Sequence, residues 1–294
     1  MGKRLDGRKI SAEIRAEMQV DIERLKKEHD LVPGLAVLLV GDNPASLSYV
    51  RSKSIACEEL GIHSVQVDLP ADASTEDVLK AVDRLNKDDA VHGILVQLPL
   101  PEQDEEQVLN FIDPNKDVDG LHPVNLGRLV RQEECFWPCT PHGVLQILSR
   151  SGIEVKGKHV VVVGRSTLVG RPVANLLGHK AEGANATVTL CHTATHDLGY
   201  FTRQADILVV AAGFPRGIKA DMVKEGVVVI DVGINQIDDP SRERGWRLIG
   251  DVDYKEVRKK ASAITPVPNG VGPMTIALLL YNTVWSAKRK NGLL

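Results

Sequence analysis

The sequence predicts an α/β protein of two domains, each built on a parallel-rich sheet. Three observations carry this. Apolar runs of strand length alternate with segments of helix length, the pattern of strands buried on both faces of a parallel sheet. The alternation occurs twice, over 35–101 and 159–233, with a proline- and turn-rich stretch between. The second series opens on a glycine-containing turn of the kind that can cradle a phosphate.

Taken in order, LAVLLVG (35–41) predicts a strand and 46–60 a helix. SVQVDLP (64–70) is the next strand, and STEDVLKAVDRLNK (74–87) is a helix that Ser74 and Asp77 can cap. GILVQLPLP (93–101) closes the third unit. The resulting β-α-β-α-β order implies parallel strands covered by helices. From 113 to 141 the chain is dense in proline and turn residues. HVVVVG (159–164), ATVTLC (186–191), DILVVAAG (206–213) and GVVVIDVG (226–233) predict the second sheet. ITPVPNGVGPMT (264–275) is irregular, and the apolar helix IALLLYNTVWSAKRK follows it. The domains join near residue 140, and the last helix could pack on either one.

Composition excludes several functions. The chain has 294 residues, 43% of them hydrophobic, and a net charge of −3, which offers no general attraction to nucleic acid or to acidic membranes. No apolar run approaches the roughly 20 residues that span a bilayer. The start, MGKRLDGRKISAEIRAEM, lacks the apolar stretch of a secretory signal. Cys57, Cys135, Cys139 and Cys191 contain no Cys-x-x-Cys, so neither a metal site nor a disulfide framework is expected. The expectation is a cytoplasmic protein that acts on a small molecule, with no nucleic-acid or membrane partner.

VVVGRSTLVGRP (161–172) reads as strand, turn and helix start. Against the dinucleotide fingerprint G-x-G-x-x-G, Gly164 fits, Ser166 replaces the second glycine and the last slips to Gly170. The plain alternative is a tight turn with no ligand. Its place at the head of a second set of strands favours a Rossmann-type domain with a phosphate site. An NAD site ends the following strand with a carboxylate for the ribose hydroxyls. Here that strand ends in Cys191, His192 and Thr193. Arg165 in the loop can reach a 2′-phosphate, so the pattern favours NADP over NAD; a solvent-exposed loop cation is the bland alternative.

YVRSK (49–53) contains Tyr-x-x-x-Lys, the catalytic pair of short-chain dehydrogenases. In those enzymes the pair follows the nucleotide loop; here it precedes it by more than a hundred residues, which argues against that class. At about 100° per residue, Lys53 falls between Leu60 and the pair Val50 and Cys57, with Tyr49 near Ala56 and with Arg51, Glu58 and Glu59 opposite. A lysine on an apolar face either snorkels or is desolvated with a lowered pKa. Gln97 ends an apolar strand, and Asp119 sits in KDVDG, where a turn aspartate bonding its own backbone is the bland reading.

SLSYVRSK, VQLPLP, KDVDGLHP, PCTPHG, GRSTLVGRP, DVGIN and ITPVPNGVGPMT together resemble the methylenetetrahydrofolate dehydrogenase/cyclohydrolase family. The resemblance runs in order from Leu5 to about Asn282. It implies a folate-binding catalytic domain over 1–139, rejoined by the C-terminal helix 273–294, and an NADP-binding domain over 140–272. It also implies an active site in the interdomain cleft and a homodimer.

Residue by residue, Lys53 resembles the family's catalytic lysine, Tyr49 the tyrosine beside the pterin and Gln97 the lysine's hydrogen-bonding partner. Asp119 resembles the carboxylate that holds the pterin. Gly272 and Pro273 match the late loop beside the substrate. Gly164, Arg165, Ser166, Gly170, His192, Thr193 and Ile234 match the cofactor site, with threonine at 193 where many members carry serine. Asn269 stands where many members have glycine, and asparagine tolerates left-handed backbone better than other non-glycines. The implied chemistry is NADP-dependent oxidation of methylenetetrahydrofolate followed by hydrolysis to 10-formyltetrahydrofolate. A dehydrogenase without the second step, or an inactive nucleotide-binding relative, is the alternative.

Overall fold

A computed structural model describes residues 1–294, except for the side chain of Ala45. The chain begins with β1 (Lys3–Arg4), α1 (Gly7–His29), β2 (Gly34–Val40), α2 (Pro44–Leu60), β3 (His63–Leu69), α3 (Thr75–Lys87), β4 (Gly93–Val96), α4 (Glu105–Phe111) and α5 (Pro123–Arg131). It continues through α6 (Cys139–Arg150), β5 (His159–Val163), α7 (Gly170–Gly178), β6 (Thr187–Cys191), α8 (Leu198–Thr202), β7 (Ile207–Val210) and β8 (Val228–Asp231). β9 (Asn235–Asp238), β10 (Trp246–Ile249), α9 (Tyr254–Lys260), β11 (Ala263–Ile264) and α10 (Val271–Lys290) complete it. The chain divides into two compact units, Met1–Ala12 with Thr140–Thr275, and Glu13–Cys139 with Ile276–Leu294.

In the unit of Glu13–Cys139 and Ile276–Leu294, three parallel strands lie in the order β3-β2-β4. β2 is GLAVLLV and every residue of it is buried, as a central strand covered on both faces requires. On one face Ala36, Leu38 and Val40 pack with Val78, Val82 and Leu85 of α3 and with Val108 of α4. α3 carries the expected capping box: Ser74 Oγ accepts from the Asp77 N–H, and the Asp77 carboxylate accepts from the Ser74 N–H.

α10 buries Leu278, Leu279, Leu280, Val284 and Ala287, and polar side chains fix it among them. Ser286 Oγ donates to His92 O at 2.7 Å, and Asn282 Nδ2 donates to Val118 O at 2.8 Å and to Trp137 O at 3.1 Å.

The other unit carries six parallel strands in the order β1-β11-β8-β7-β5-β6. β5 has β6 on one side and β7 on the other, so the strand order reverses beside it. Such a switch point opens a crevice at the carboxyl ends of the strands. Val161, Leu208, Val210, Val229 and Ile264 form the core beneath, with Val257 of α9 against them.

Two features depart from the sequence reading. β9 and β10 pair as an antiparallel hairpin in a polar segment that offers no apolar strand run. The first twelve residues, expected with 1–139, group with the six-stranded sheet. β1 pairs with β11, Lys3 opposite Ala263, and the Gly2 N–H donates to Arg258 O at 2.8 Å; a two-residue strand leaves no periodicity to read. Among the described residues, no helix is long and apolar enough to cross a membrane.

Asn282→Ala leaves Trp137 O without the amide that serves it and Val118 O with the Cys139 thiol alone. Unsatisfied buried groups cost about 1–3 kcal/mol. The variant should unfold at clearly lower urea concentration; an unchanged midpoint would show that the amide is dispensable to this helix.

Candidate active site

The carboxyl ends of the β2 and β4 strands carry the first cluster. α2 turns Val50, Lys53, Cys57 and Leu60 inward, while Arg51, Glu58 and Glu59 are exposed. Lys53 is 8% exposed, which decides between snorkelling and burial in favour of burial. Its Nζ donates to Gln97 Oε1 at 2.8 Å. Gln97 Nε2 donates in turn to Leu98 O at 2.7 Å, which turns the amide oxygen toward the lysine. The Gln97 N–H reaches Leu38 O at 2.9 Å, so this side chain stands one residue beyond β4. Tyr49, one turn before Lys53, is 45% exposed and occupies the rim.

KDVDG divides its two aspartates between two jobs. Buried Asp117 is the turn residue: its carboxylate accepts from the N–H groups of Leu121 (3.2 Å) and His122 (2.8 Å) and from Asn125 Nδ2 (2.8 Å). Asp119, half-buried, interacts instead with the Lys53 ammonium and the Cys139 thiol. Burial pushes the Asp119 carboxyl up, with Lys53 and the thiol hydrogen bond pulling it back. Burial holds Lys53 below the usual lysine range, with Asp119 and Cys139 opposing. The Cys139 thiol is driven well above its ordinary value, first by burial and then by Asp119. It stays protonated and donates to Val118 O at 3.3 Å. The cluster therefore offers a lysine amine with depressed basicity, an amide acceptor on it, and a carboxylate able to take a fork of N–H donors.

The second cluster sits at the switch point of the six-stranded sheet. Gly164 has φ of +123°, and a Cβ there would lie 2.1 Å from Ala211 O. A Cβ on Gly170 would lie 2.0 Å from Gly164 O. Backbone thus crosses backbone at this point, and α7 starts directly over the end of β5. Ser166 Oγ accepts from the N–H of Val169 at 3.1 Å and of Gly170 at 3.5 Å, so the serine closes the turn that a second glycine would otherwise make.

Parallel pairing sets Val163 opposite Cys191, and the Gly164 N–H donates to Cys191 O at 2.9 Å. Exposed Arg165 and Thr193, with half-buried His192 beside Thr193, therefore leave neighbouring strand ends. His192 Nδ1 accepts from the Ala194 N–H at 3.2 Å, which leaves the other ring nitrogen as the donor. The acid that follows, Asp197, is the N-cap of α8 and accepts from the Tyr200 N–H at 3.0 Å. No carboxylate stands at the end of β6. The tight glycine crossing, the positive end of α7 and the cationic pair Arg165 and Arg171 fit a dinucleotide with an extra phosphate.

Two further predicted residues meet in the same unit. A Cβ on Gly272 would stand 3.6 Å from Ile234 Cδ1, so the late loop runs close to the residue after DVG. Pro273 follows in the first turn of α10, half-buried. Asn269 has φ of 76°, the left-handed backbone expected of it.

Sequence reasoning missed Cys139, Asn282 and the buried pair Asp231 and Asp251. Only Asp231 left a signal, as a carboxylate ending the apolar run VVVID.

Comparison with known proteins agrees with this arrangement. Residues 5–119 match the catalytic-domain model of tetrahydrofolate dehydrogenase/cyclohydrolase, and residues 138–291 match its NAD(P)-binding domain. The chain is 56% identical over 292 residues to the bifunctional protein FolD of Chlorobium phaeobacteroides, covering 98% of this chain and 99% of that one. Among solved structures it is similar to the bifunctional FolD methylenetetrahydrofolate dehydrogenase/cyclohydrolase of Campylobacter jejuni. That structure is 49% identical with a TM-score of 0.92, over 99% of this chain and 100% of that one. The Trypanosoma brucei enzyme, complexed with NADP cofactor and inhibitor, is 41% identical with a TM-score of 0.93, covering 99% of this chain and 98% of that one.

The mutual influence of Lys53 and Asp119 can be read without substrate. Asp119 raises the Lys53 pKa, so removing its charge takes support from the ammonium. In Asp119→Asn, Lys53 should titrate at a still lower pH, followed by NMR of its labelled side chain. An unchanged or higher midpoint would show that the two groups share no field.

Proposed function

The chain belongs to the tetrahydrofolate dehydrogenase/cyclohydrolase family, and we propose that it runs both reactions with the residues described above. It oxidises methylenetetrahydrofolate to methenyltetrahydrofolate with NADP, then hydrolyses the product to 10-formyltetrahydrofolate. The observation that carries this reading is the buried Lys53, bonded to Gln97 and sharing its field with Asp119.

NADP, when bound, accepts the hydride from the methylene carbon. The chain's part in that step is orientation. Asp119 takes adjacent N–H donors of the pterin, and Tyr49 lies beside the ring. Gly272 and Pro273 border the substrate from the late loop. Gly164, Ser166 and Gly170 would shape the bed for the phosphates, and Arg165, His192 and Thr193 would hold the 2′-phosphate. Ile234 would border the reactive half of the cofactor.

Hydrolysis needs proton traffic instead. Lys53, its basicity lowered by burial, takes the proton of the water that attacks the methenyl carbon. Gln97 steadies the ammonium so formed, which returns the proton to the departing nitrogen as the C–N bond opens, while the adduct's hydroxyl proton leaves to solvent and the formyl C=O forms.

On this reading the unit of Glu13–Cys139 and Ile276–Leu294 binds folate and the other binds NADP. The family resemblance supports a cytoplasmic homodimer whose product supplies formyl groups to purine biosynthesis.

Lys53→Met keeps the volume of the stem without its charge. Hydride transfer should persist at a reduced rate, and hydrolysis of the methenyl cation should fall to background, a loss of about 10²–10⁴-fold for a missing acid–base group. Each half-reaction is assayed by methenyl absorbance on protein of verified melting temperature. Unchanged hydrolysis would remove Lys53 from the mechanism; equal loss of both steps would make it a folate-positioning group.

Arg165→Ala should erase much of the preference for NADP over NAD. A charge-assisted contact is worth about 1.5–3 kcal/mol, so the ratio of kcat/KM values should fall about tenfold or more. A wild type that uses both cofactors equally would refute this role.

A further inference from the structure

Two buried carboxylates behind the ends of β7 and β8 have no place in the roles above. Asp231 is 3% exposed and Asp251 0%. Asp231 Oδ1 accepts from the N–H groups of Gly233 and Asp251, each at 3.0 Å, and Oδ2 from that of Val252 at 3.0 Å. Asp251 Oδ2 accepts from the N–H groups of Ala212 (2.7 Å) and Gly213 (2.9 Å), and Oδ1 from Asn235 Nδ2 at 2.8 Å. Each carboxylate passes where the chain has no side chain. A Cβ on Gly233 would lie 2.3 Å from Asp251 Cγ, and one on Gly250 would lie 1.8 Å from Asp231 Oδ2. Thr265 Oγ1 accepts from the Asp231 N–H at 2.8 Å, so the root of the late loop joins the same assembly.

Burying two carboxyl groups side by side is costly unless each is fully hydrogen-bonded, and a purely structural contact between these loops could use apolar groups. The segments joined here are specific ones. A dinucleotide lies across the switch point with its two halves on either side. One half faces the end of β6, where His192 and Thr193 stand. The other would lie over the segments just beyond β7 and β8, which are Ala212–Gly213 and the stretch from Val232 to Asn235. Asp251 ties these two segments to each other.

We propose that Asp251 is a positioning residue for hydride transfer: it locks the Ala212–Gly213 backbone to Asn235, next to Ile234, and so fixes the floor beneath the reactive half of the cofactor. This rests on the proposed dehydrogenase reading. Asp231 holds Asp251 and the late loop from behind, and the β9–β10 hairpin is anchored at its root by Asn235.

Asp251→Asn sets an amide nitrogen against the Asn235 donor and breaks the tie from one end. Asn235→Ala breaks it from the other, at a half-buried position that puts the fold at less risk. The first readout uses the protein without cofactor: amide exchange at Ala212 and Gly213 should be slow in the wild type and at least tenfold faster in Asp251→Ala, which removes the acceptor of both N–H groups. The second splits the activities. In Asp251→Asn and Asn235→Ala dehydrogenase kcat should fall on the order of tenfold to a hundredfold, the scale on which misplaced reactants lose rate. The KM for NADP should change less, and cyclohydrolase activity should hold within about twofold, the work of groups in the other unit.

Unchanged exchange together with unchanged kcat would overturn the proposal. Equal loss of both activities in Asn235→Ala would overturn it too, since it would mark a general loss of structure. A wild type with no NADP-dependent oxidation would sink the dehydrogenase reading instead, and the exchange experiment would still decide whether the lock exists.

Discussion

Parallel pairing places the carboxyl ends of all strands in a sheet on one edge. Both candidate sites hang from that constraint. In the three-stranded sheet it brings the end of β4, with Gln97, to the side from which α2 presents Lys53. In the six-stranded sheet it sets Gly164, Cys191, Ala211 and Asp231 along one edge, because β5, β6, β7 and β8 run in register. The loops between those ends can then differ in chemistry while the strands beneath remain plain aliphatic runs. Gly164 shows how tight the arrangement is, since its neighbour across the switch point is the carbonyl of Ala211.

Buried charge separates structural from chemical groups. Lys116 and Lys53 are equally hidden, at 7% and 8% exposure. Lys116 Nζ donates to the carbonyls of Leu85 and Asp88 at 3.0 and 2.7 Å, which closes the C-terminal end of α3. Backbone carbonyls cannot rearrange or change charge, so this lysine is a cap. Lys53 faces a side-chain amide and a titratable carboxylate, partners that can follow a change in its protonation. The aspartates divide in the same way. Burial pushes both Asp117 and Asp231 up to about 7, against the pull of the N–H donors each accepts. For Asp117 those donors are the backbone of its own turn and the Asn125 amide, and for Asp231 they are the N–H groups of Gly233, Asp251 and Val252, so both groups are brackets.

Much of this was legible in the sequence because aliphatic runs are long and local. β2, β5, β7 and β8 stood out as continuous valine, leucine and isoleucine, and the helix face of Lys53 followed from angular spacing alone. The Ser74 and Asp77 cap was equally local. What escaped depended on distant partners. β1 is two residues long and is defined by its contact with β11, more than 250 residues away. Cys139 reads as an ordinary buried cysteine until Asp119 is beside it. Asp251 sits in GDVD, a sequence that looks like a polar turn, and its partners lie 16 to 39 residues back along the chain. KDVDG was half-legible: the turn role weighed for Asp119 belongs to Asp117, while Asp119 faces Lys53 and Cys139.

The late loop shows the same distinction between conformation and space. Asn269 occupies φ of 76°, a left-handed conformation that disfavours most side chains but that asparagine enters at modest cost. Its demand is on the backbone alone, so glycine and asparagine can both satisfy it. The next residue faces a different limit. A Cβ on Gly270 would lie 2.3 Å from Pro266 O and 3.0 Å from Thr265 Cβ, and no choice of L-residue removes that collision. The departure at 269 therefore preserves the path of the loop into α10, and with it the close approach of Gly272 to Ile234. Substitution at 270 would have to move the loop, and Thr265, which holds the Asp231 end of β8, would move with it.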